Sequence, residues 1–169
     1  MGNYLLTAAI GAGQWRSDQA YDLPSIFQIC DFVNLMSYDL HGAWESRTGI
    51  HSALYQGIND RGVANVDASV SFVLSHGVAR EKLILGIPAY GVGFTLDNQN
   101  INGVGAPAVG AGTQHYFTIC QNVNRGVYRE RWEPEQMNPY AVNSTSWIGY
   151  DNIRSVEIKA NYINRHSLG

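Results

Sequence analysis

Apolar residues along the chain gather in short runs separated by polar, glycine-rich stretches. Leu5–Ile10, Phe32–Met36 and Leu83–Ile87 are nearly continuous apolar segments. Runs of that length and composition read as strands buried in a parallel sheet. The first closes on Gly11-Ala12-Gly13, a turn signal. Between the runs lie helical patterns. Pro24 opens a helix to about Ile29, because its fixed φ suits a first helical turn. Asn65-Val66-Asp67 starts another, with Asp67 the predicted N-cap and Gly77 the C′ residue. Val70, Val73 and Leu74 recur at helical spacing and should face the sheet. Strand, helix and strand in that order predict parallel pairing through a right-handed crossover.

Two other stretches break the alternation. Leu40–Gly62 is long and irregular, with Gly42, Gly49 and Gly57 among scattered polar groups, as is common in functional βα loops. From Val92 to about Asn152, repeated glycines, Phe94-Thr95-Leu96 and Trp147-Ile148-Gly149-Tyr150 predict short strands and turns. Asn143-Ser144-Thr145 within it is an N-glycosylation triplet, meaningful in a secreted chain. Ser155–Arg165 interleaves Val156, Ile158 and Ile163 with Glu157, Lys159 and Arg165. It reads as an amphipathic helix capped by Ser155.

Composition narrows the class. The 169 residues are 45% hydrophobic and 15% charged, with a formal net charge of −3. That suits one soluble globular domain and argues against disorder, fibrous repeats or a transmembrane protein. The mild acidity leaves no basic footprint for nucleic acid or an anionic membrane. Two cysteines cannot make a disulfide framework, and their separation does not match a metal site. Cys30 sits among apolar residues and reads as buried and inert. Leu5–Ile10 lacks a basic leader and is too short to span a membrane, so no signal peptide is read there.

Candidate chemistry concentrates just after the second strand. Met36, Tyr38 and Asp39 stand together, followed by His41, Gly42 and Trp44. In a parallel α/β protein the carboxyl ends of strands are where side chains meet ligands. A Tyr hydroxyl, a carboxylate and a Trp face make a sugar-binding set: the rings cover apolar sugar faces and the polar tips take hydroxyl and amide groups. The same residues also fit a core strand running into a polar turn, and composition does not choose between the two. Trp15, beside Gln14 and Asp18, is either a stacking ring or a cap on the fold. His41 and His51 read as loop hydrogen-bonders, with no metal spacing.

Phe32–Trp44 closely resembles the sixth barrel strand of glycoside hydrolase family 18, the chitinases and chitinase-like lectins. The likeness runs on through Thr48–Ser52, Lys82–Gly91, Gly103–Pro107, Pro139–Ala141 and Trp147–Asp151. It implies an α/β fold: a partial (β/α)8 TIM barrel, approximately strands 5 to 7, with a small α+β insertion. The implied divisions are barrel strands and helices over 1–91, the insertion over 92–152, and a barrel helix over 153–169. By the same resemblance, Cys120 matches a position that often pairs with a cysteine, and here it is expected as a free thiol. The family is mostly secreted, which makes that the expected location.

The resemblance also implies chemistry. Family members cleave β-1,4-linked N-acetylglucosamine polymers with the substrate's own acetamido oxygen as nucleophile, outside the usual two-carboxylate scheme. No cofactor or metal is implied. A glutamic acid in Asp-x-x-Asp-x-Asp-x-Glu protonates the leaving oxygen, and no such motif occurs in these 169 residues. What the resemblance leaves is a supporting set. Tyr38 would donate to the acetamido oxygen, Asp39 would bind the same subsite, and Met36 would pack beneath. Tyr90 would touch the sugar from the neighbouring strand, and Trp44 would stack on the leaving-group side. Val92 stands where the family usually carries an arginine that grips substrate. The expected ligand is therefore chitin or N-acetylglucosamine oligosaccharides, bound without turnover by this chain alone. The alternative is a non-hydrolytic chitinase-like lectin. Self-association through open sheet edges is a further expectation.

Overall fold

The three apolar runs lie side by side in parallel in the computed structural model, which describes residues 4–13, 19–60 and 64–169. In chain order the elements are β1 (Thr7–Gly11), α1 (Leu23–Ile29), β2 (Phe32–Met36), α2 (Val66–Ser75), a 3-10 turn (Arg80–Lys82) and β3 (Leu83–Leu85). There follow β4 (Tyr90–Leu96), β5 (Ala108–His115), α3 (Tyr116–Asn124), β6 (Arg129–Glu133), β7 (Asn138–Asn143), β8 (Ser146–Gly149) and α4 (Ile153–His166). The fold is mixed α/β.

In the sheet β1-β2-β3, Ala8 and Ile10 lie beside Val33 and Leu35, and Leu83 and Leu85 flank the same two residues from the other side. This period-2 set is one face, and it packs on Leu23 and Phe27 of α1, Val66, Val70 and Val73 of α2, and Tyr162 of α4. Phe32, Asn34 and Met36 alternate with it on the opposite face and are half-buried.

Several local expectations shift. β1 begins at Thr7, not Leu5, because the Leu6 backbone bonds to Asp31 instead of to a strand: Leu6 N–H donates to Asp31 Oδ2 at 2.7 Å and Leu6 O accepts from Asp31 N–H at 2.8 Å. β3 ends at Leu85, two residues early. The Gly86 carbonyl is taken by Ser37 Oγ at 2.7 Å, and Pro88 has no N–H to extend a ladder. The cap of α2 is Asn65, not Asp67. Asn65 has the extended backbone that a cap requires and accepts from Ala68 N–H at 2.8 Å, while Asp67 is already helical. Gly77 follows the helix at φ 72, the left-handed C′ position. Asn152, not Ser155, caps α4, and Ser155 is the reciprocal partner in a capping box.

The stretch from Tyr90 onward forms an antiparallel sheet in the order β5-β4-β8-β7-β6. One face, with Phe94, Trp147, Tyr140 and Val92, packs on Ile50 and Ala53 of the long loop after β2. The other carries Ala141 and Ile148 against Ile119 of α3. The loop is thus wedged between the two sheets, and its tip meets α4. There Lys159, read from the sequence as part of a polar helix face, is buried. Its ammonium donates to Ser52 O at 2.6 Å and to both Asp151 oxygens at 2.7 Å. Asp151 also accepts from Ser52 Oγ (2.6 Å), Ser155 Oγ (2.7 Å) and Asn138 Nδ2 (2.9 Å). Burial pushes the Lys159 pKa down, and the Asp151 charge opposes that. Every lone-pair direction of the carboxylate is occupied, as a buried charge requires.

Among the described residues, no helix is long and apolar enough to cross a membrane.

Candidate functional site

Tyr38 and Asp39 follow β2 directly, and the chain brings Tyr90 to them from fifty-one residues beyond Asp39. The Tyr90 hydroxyl donates to Asp39 Oδ1 at 2.6 Å. Its ring meets that of Tyr38 edge-on, centroids 6.2 Å apart at 77°. The sequence pattern puts Tyr90 at the end of the third strand. It instead opens β4, so it projects from the junction of the two sheets. Burial and then the Asp39 bond raise the Tyr90 pKa, which keeps the phenol protonated as a donor.

Close approach makes this junction possible. A Cβ on Gly86 would sit 2.7 Å from Leu35 O and 3.0 Å from the Tyr38 ring. Only glycine lets the end of β3 pass beneath Tyr38.

Asp39 adopts φ 57, a left-handed conformation that an aspartate tolerates at some cost. His51 holds it there. Asp39 N–H and His51 Nδ1 are 3.3 Å apart, and His51 Nε2 lies 3.3 Å from Tyr90 O. A carbonyl needs a donor, so Nε2 carries the proton and the Nδ1 lone pair accepts from Asp39. Burial drives the His51 pKa down to about 4, against the pull of Asp151 and Asp39. The imidazole is therefore neutral at pH 7, and its 3.5 Å approach to Asp39 Oδ1 is not an ion pair. Its ring also lies 5.0 Å from that of Tyr90.

Trp44 sits apart. It is 68% exposed, and its ring rests on Gly42, where a Cβ would come within 2.3 Å of it. It makes no ring contact with Tyr38 or Tyr90 among the described residues. Its turn is braced by His41, whose Nδ1 bonds Glu45 at 3.0 Å and whose Nε2 bonds Asp60 Oδ2 at 3.1 Å. Burial lowers the His41 pKa, but hydrogen bonds and charge from Asp60 and Glu45 outweigh it and raise the value to about 9. His41 is thus a cation clasped by two carboxylates, holding the loop that presents Trp44.

Met36 ends β2 half-buried on the face away from the helices. Val92 is buried in the antiparallel sheet, two residues along from Tyr90 and on the same side. Trp15, Gln14 and Asp18 lie outside the described residues. Cys30 is buried and Cys120 half-buried, both as free thiols. Among the described residues no group of three His, Cys, Asp or Glu is placed to hold a metal.

Sequence reasoning singled out Tyr38, Asp39 and Tyr90, which the fold joins, but missed His51 as the clip between them. The available signal was an imidazole within the short, mostly apolar run Ile50-His51-Ser52-Ala53-Leu54 of the long loop. Chemically, the edge offers free polar atoms beside aromatic faces. Among the described residues the Tyr38 hydroxyl and Asp39 Oδ2 have no hydrogen-bond partner, and the Asp39 side chain is 56% exposed. A donor and an acceptor next to two tyrosine rings suit a hydroxyl- and amide-bearing sugar.

The sequence matches the family model described as Glycosyl hydrolases family 18 over residues 1–169. The chain belongs to glycosyl hydrolase family 18. It is 40% identical over 173 residues to Chitotriosidase-1 of Mus musculus, covering 98% of this chain and 37% of that protein. It is 37% identical over 180 residues to Chitinase-3-like protein 2 of Homo sapiens, covering 98% of this chain and 45% of that one. A solved family 18 chitinase from Cycas revoluta in complex with (GlcNAc)3 superimposes with a TM-score of 0.87 at 37% identity, over 97% of this chain and 48% of that chain. The chain therefore spans less than half the length of these family 18 relatives.

Proposed function

We propose that this chain forms one side of a groove for β-1,4-linked N-acetylglucosamine oligosaccharides, within a secreted family 18 domain. On this reading β1, β2 and β3 are strands 5 to 7 of a (β/α)8 barrel. Residues 1–91 and 153–169 are its barrel part, and 92–152 are the insertion that walls the groove. Tyr38 donates to the acetamido oxygen, Asp39 Oδ2 accepts from the sugar, Tyr90 fixes Asp39, and Met36 lies beneath. Trp44 supplies a stacking face further along. The observation that carries this is the Tyr90–Asp39 bond. It holds Asp39 beside the paired Tyr38 and Tyr90 rings, while the Tyr38 hydroxyl and Asp39 Oδ2 have no partner among the described residues. A family 18 relative solved with (GlcNAc)3 supports the choice of sugar.

The 169 residues hold no Asp-x-x-Asp-x-Asp-x-Glu, and general acid catalysis typically supplies ~10²–10⁴-fold in rate. We therefore assign binding, not turnover, to these residues by themselves. The buried Val92, in place of a substrate-gripping arginine, favours a second reading, a chitinase-like lectin that binds and does not cut. Calorimetric titration with N-acetylglucosamine oligomers tests the binding. Saturable heat that disappears in Asp39→Ala is the expected result, and heat unchanged by that substitution refutes the placement. Release of fluorophore from a chitobioside, above a no-protein control, would refute the assignment of binding without turnover.

A further inference from the structure

One motif in the chain has no part in the aromatic edge. Asn143-Ser144-Thr145 is the only Asn-x-Ser/Thr triplet in the 169 residues. We propose that Asn143 is the acceptor of an N-linked glycan, an inference that rests on the secreted location given above.

Transfer to an asparagine needs a Ser or Thr two residues on, no intervening proline, and a segment open to solvent. Ser144 and Thr145 meet the first two conditions, and Asn143 through Ser146 are all exposed. The triplet forms the tip of the β7–β8 hairpin, where Asn143 pairs with Ser146 across a two-residue turn. Ser144 takes φ 51 there. The turn is held from behind: Ser144 Oγ bonds Gln99 Oε1 at 3.2 Å, and Thr145 O accepts from Leu96 N–H at 2.7 Å. Among the described residues the Asn143 side-chain amide and the Thr145 hydroxyl make no hydrogen bond, so both are available.

Beside the tip lies a polar groove of about 390 Å³, lined by Asn143, Gln99, Asn102, Arg129 and Arg131 among others. Its amide and guanidinium groups suit the hydroxyls and acetamide of a first N-acetylglucosamine. The donor is a polyprenyl-diphosphate oligosaccharide. Asn143 Nδ2 attacks the anomeric carbon, the N–C bond forms as the C–O bond to diphosphate breaks, Nδ2 gives up one proton, and the lipid diphosphate leaves. The site lies well away from the aromatic edge. Thr95 pairs with Ser146, and Thr95 is about 17 Å along β4 from Tyr90 at ~3.3 Å per residue. A glycan on the hairpin leaves Tyr38, Asp39 and Tyr90 open.

The test is to secrete the full chain behind a cleavable leader from a eukaryotic host, digest it with peptide N-glycosidase, and analyse the Asn143 peptide by mass spectrometry. The expected result is loss of glycan mass with conversion of Asn143 to aspartate. No glycan should appear in N143Q or in T145A, the latter keeping Asn143 and changing only an exposed side chain. Recovery of the Asn143 peptide wholly unmodified from folded, secreted chain overturns the proposal. Retention on chitin beads separates this inference from the function above. Equal retention before and after deglycosylation supports the placement, and retention only after deglycosylation refutes it. A glycosylated chain retained in neither state sinks the carbohydrate-binding reading alone.

Discussion

Asp39 N–H lies 3.3 Å from His51 Nδ1, and it does so from a left-handed backbone conformation. The same imidazole reaches Tyr90 O through its other nitrogen. One buried, neutral histidine therefore fixes both partners of the Tyr90–Asp39 bond. Beside it, Ser52 is bound to Lys159 and Asp151, so α4 secures the loop from which His51 reaches the edge.

His51→Ala should leave Asp39 N–H and Tyr90 O without partners, at a cost of about 1–3 kcal/mol for unsatisfied groups. The pH dependence identifies the cause. With a folded pKa near 4 against an ordinary 6.5, the histidine's contribution is complete above about pH 6.5 and is lost as pH falls through about 4. Urea midpoints measured from pH 7 down to pH 4 should fall in the wild type, and fall less in His51→Gln. The same acid slope in both proteins would refute a neutral, clipping His51.

Tyr90→Phe keeps the ring and deletes only the hydroxyl. The loss of one hydrogen bond to a half-exposed carboxylate should lower stability by about 1 kcal/mol. Oligosaccharide affinity should fall further than stability, because Asp39 then has no fixed direction. Trp44→Ala should weaken binding with almost no change in melting temperature, since its ring is largely exposed. Titration calorimetry beside thermal melts separates the two effects. Unchanged chitin retention in both variants would move the site elsewhere.

Much of this edge was legible because short-range pattern decides it. Phe32–Met36 is apolar and short, so it is a strand, and its carboxyl end carries Tyr38 and Asp39 whatever else the fold does. Tyr90 was legible as a neighbour of this edge, which it meets at Asp39 and Tyr38, but not as the start of a new sheet. That depends on Ser37 capturing the Gly86 carbonyl and on where β4 finds β8. His51 and Lys159 were not legible as buried polar groups. Their roles come from partners eight and more residues away, and hydrophobic periodicity carries no record of such partners. The N-caps of α2 and α4 were misplaced by two and three residues, the usual size of boundary error when several polar residues compete.

Lys159→Met should be severely destabilising, by about 3–5 kcal/mol, because it leaves the Asp151 carboxylate buried without its cation. The double variant Lys159→Met with Asp151→Asn removes the stranded charge and should recover part of that loss. Denaturant unfolding of the three proteins measures the coupling. Additive losses would mean that the two groups do not act as a pair.

His41 makes an opposite prediction at high pH. Its folded pKa is raised to about 9 from an ordinary 6.5, so its contribution is complete below about 6.5 and disappears as pH rises through about 9. The shift corresponds to on the order of 3 kcal/mol. Glu45→Gln should reduce stability at pH 7 while shrinking the alkaline loss. Trp44 fluorescence should report loosening of its turn over the same range. An alkaline limb of equal height in Glu45→Gln would show that the His41 clasp is not its source.

The parallel sheet supplies the last prediction. Among the described residues β1 and β3 each pair on one side only, with β2 between them. Strand edges present unpaired N–H and C=O groups, which are templates for association. Near the β1 edge Leu5 and Leu6 are 72% and 56% exposed, so apolar surface accompanies the open backbone. Among the described residues the helices pack on one face of this sheet, and Phe32, Asn34 and Met36 on the other face are only half-buried. Open edges and a thinly covered face together favour self-association over a stable monomer. Light scattering on the purified chain should therefore find dimers or larger species whose proportion grows with concentration. Lysine substitutions at Leu5 and Leu6, which place charge beside the edge, should shift the distribution toward monomer. A monodisperse monomer with a sharp thermal transition would refute the argument.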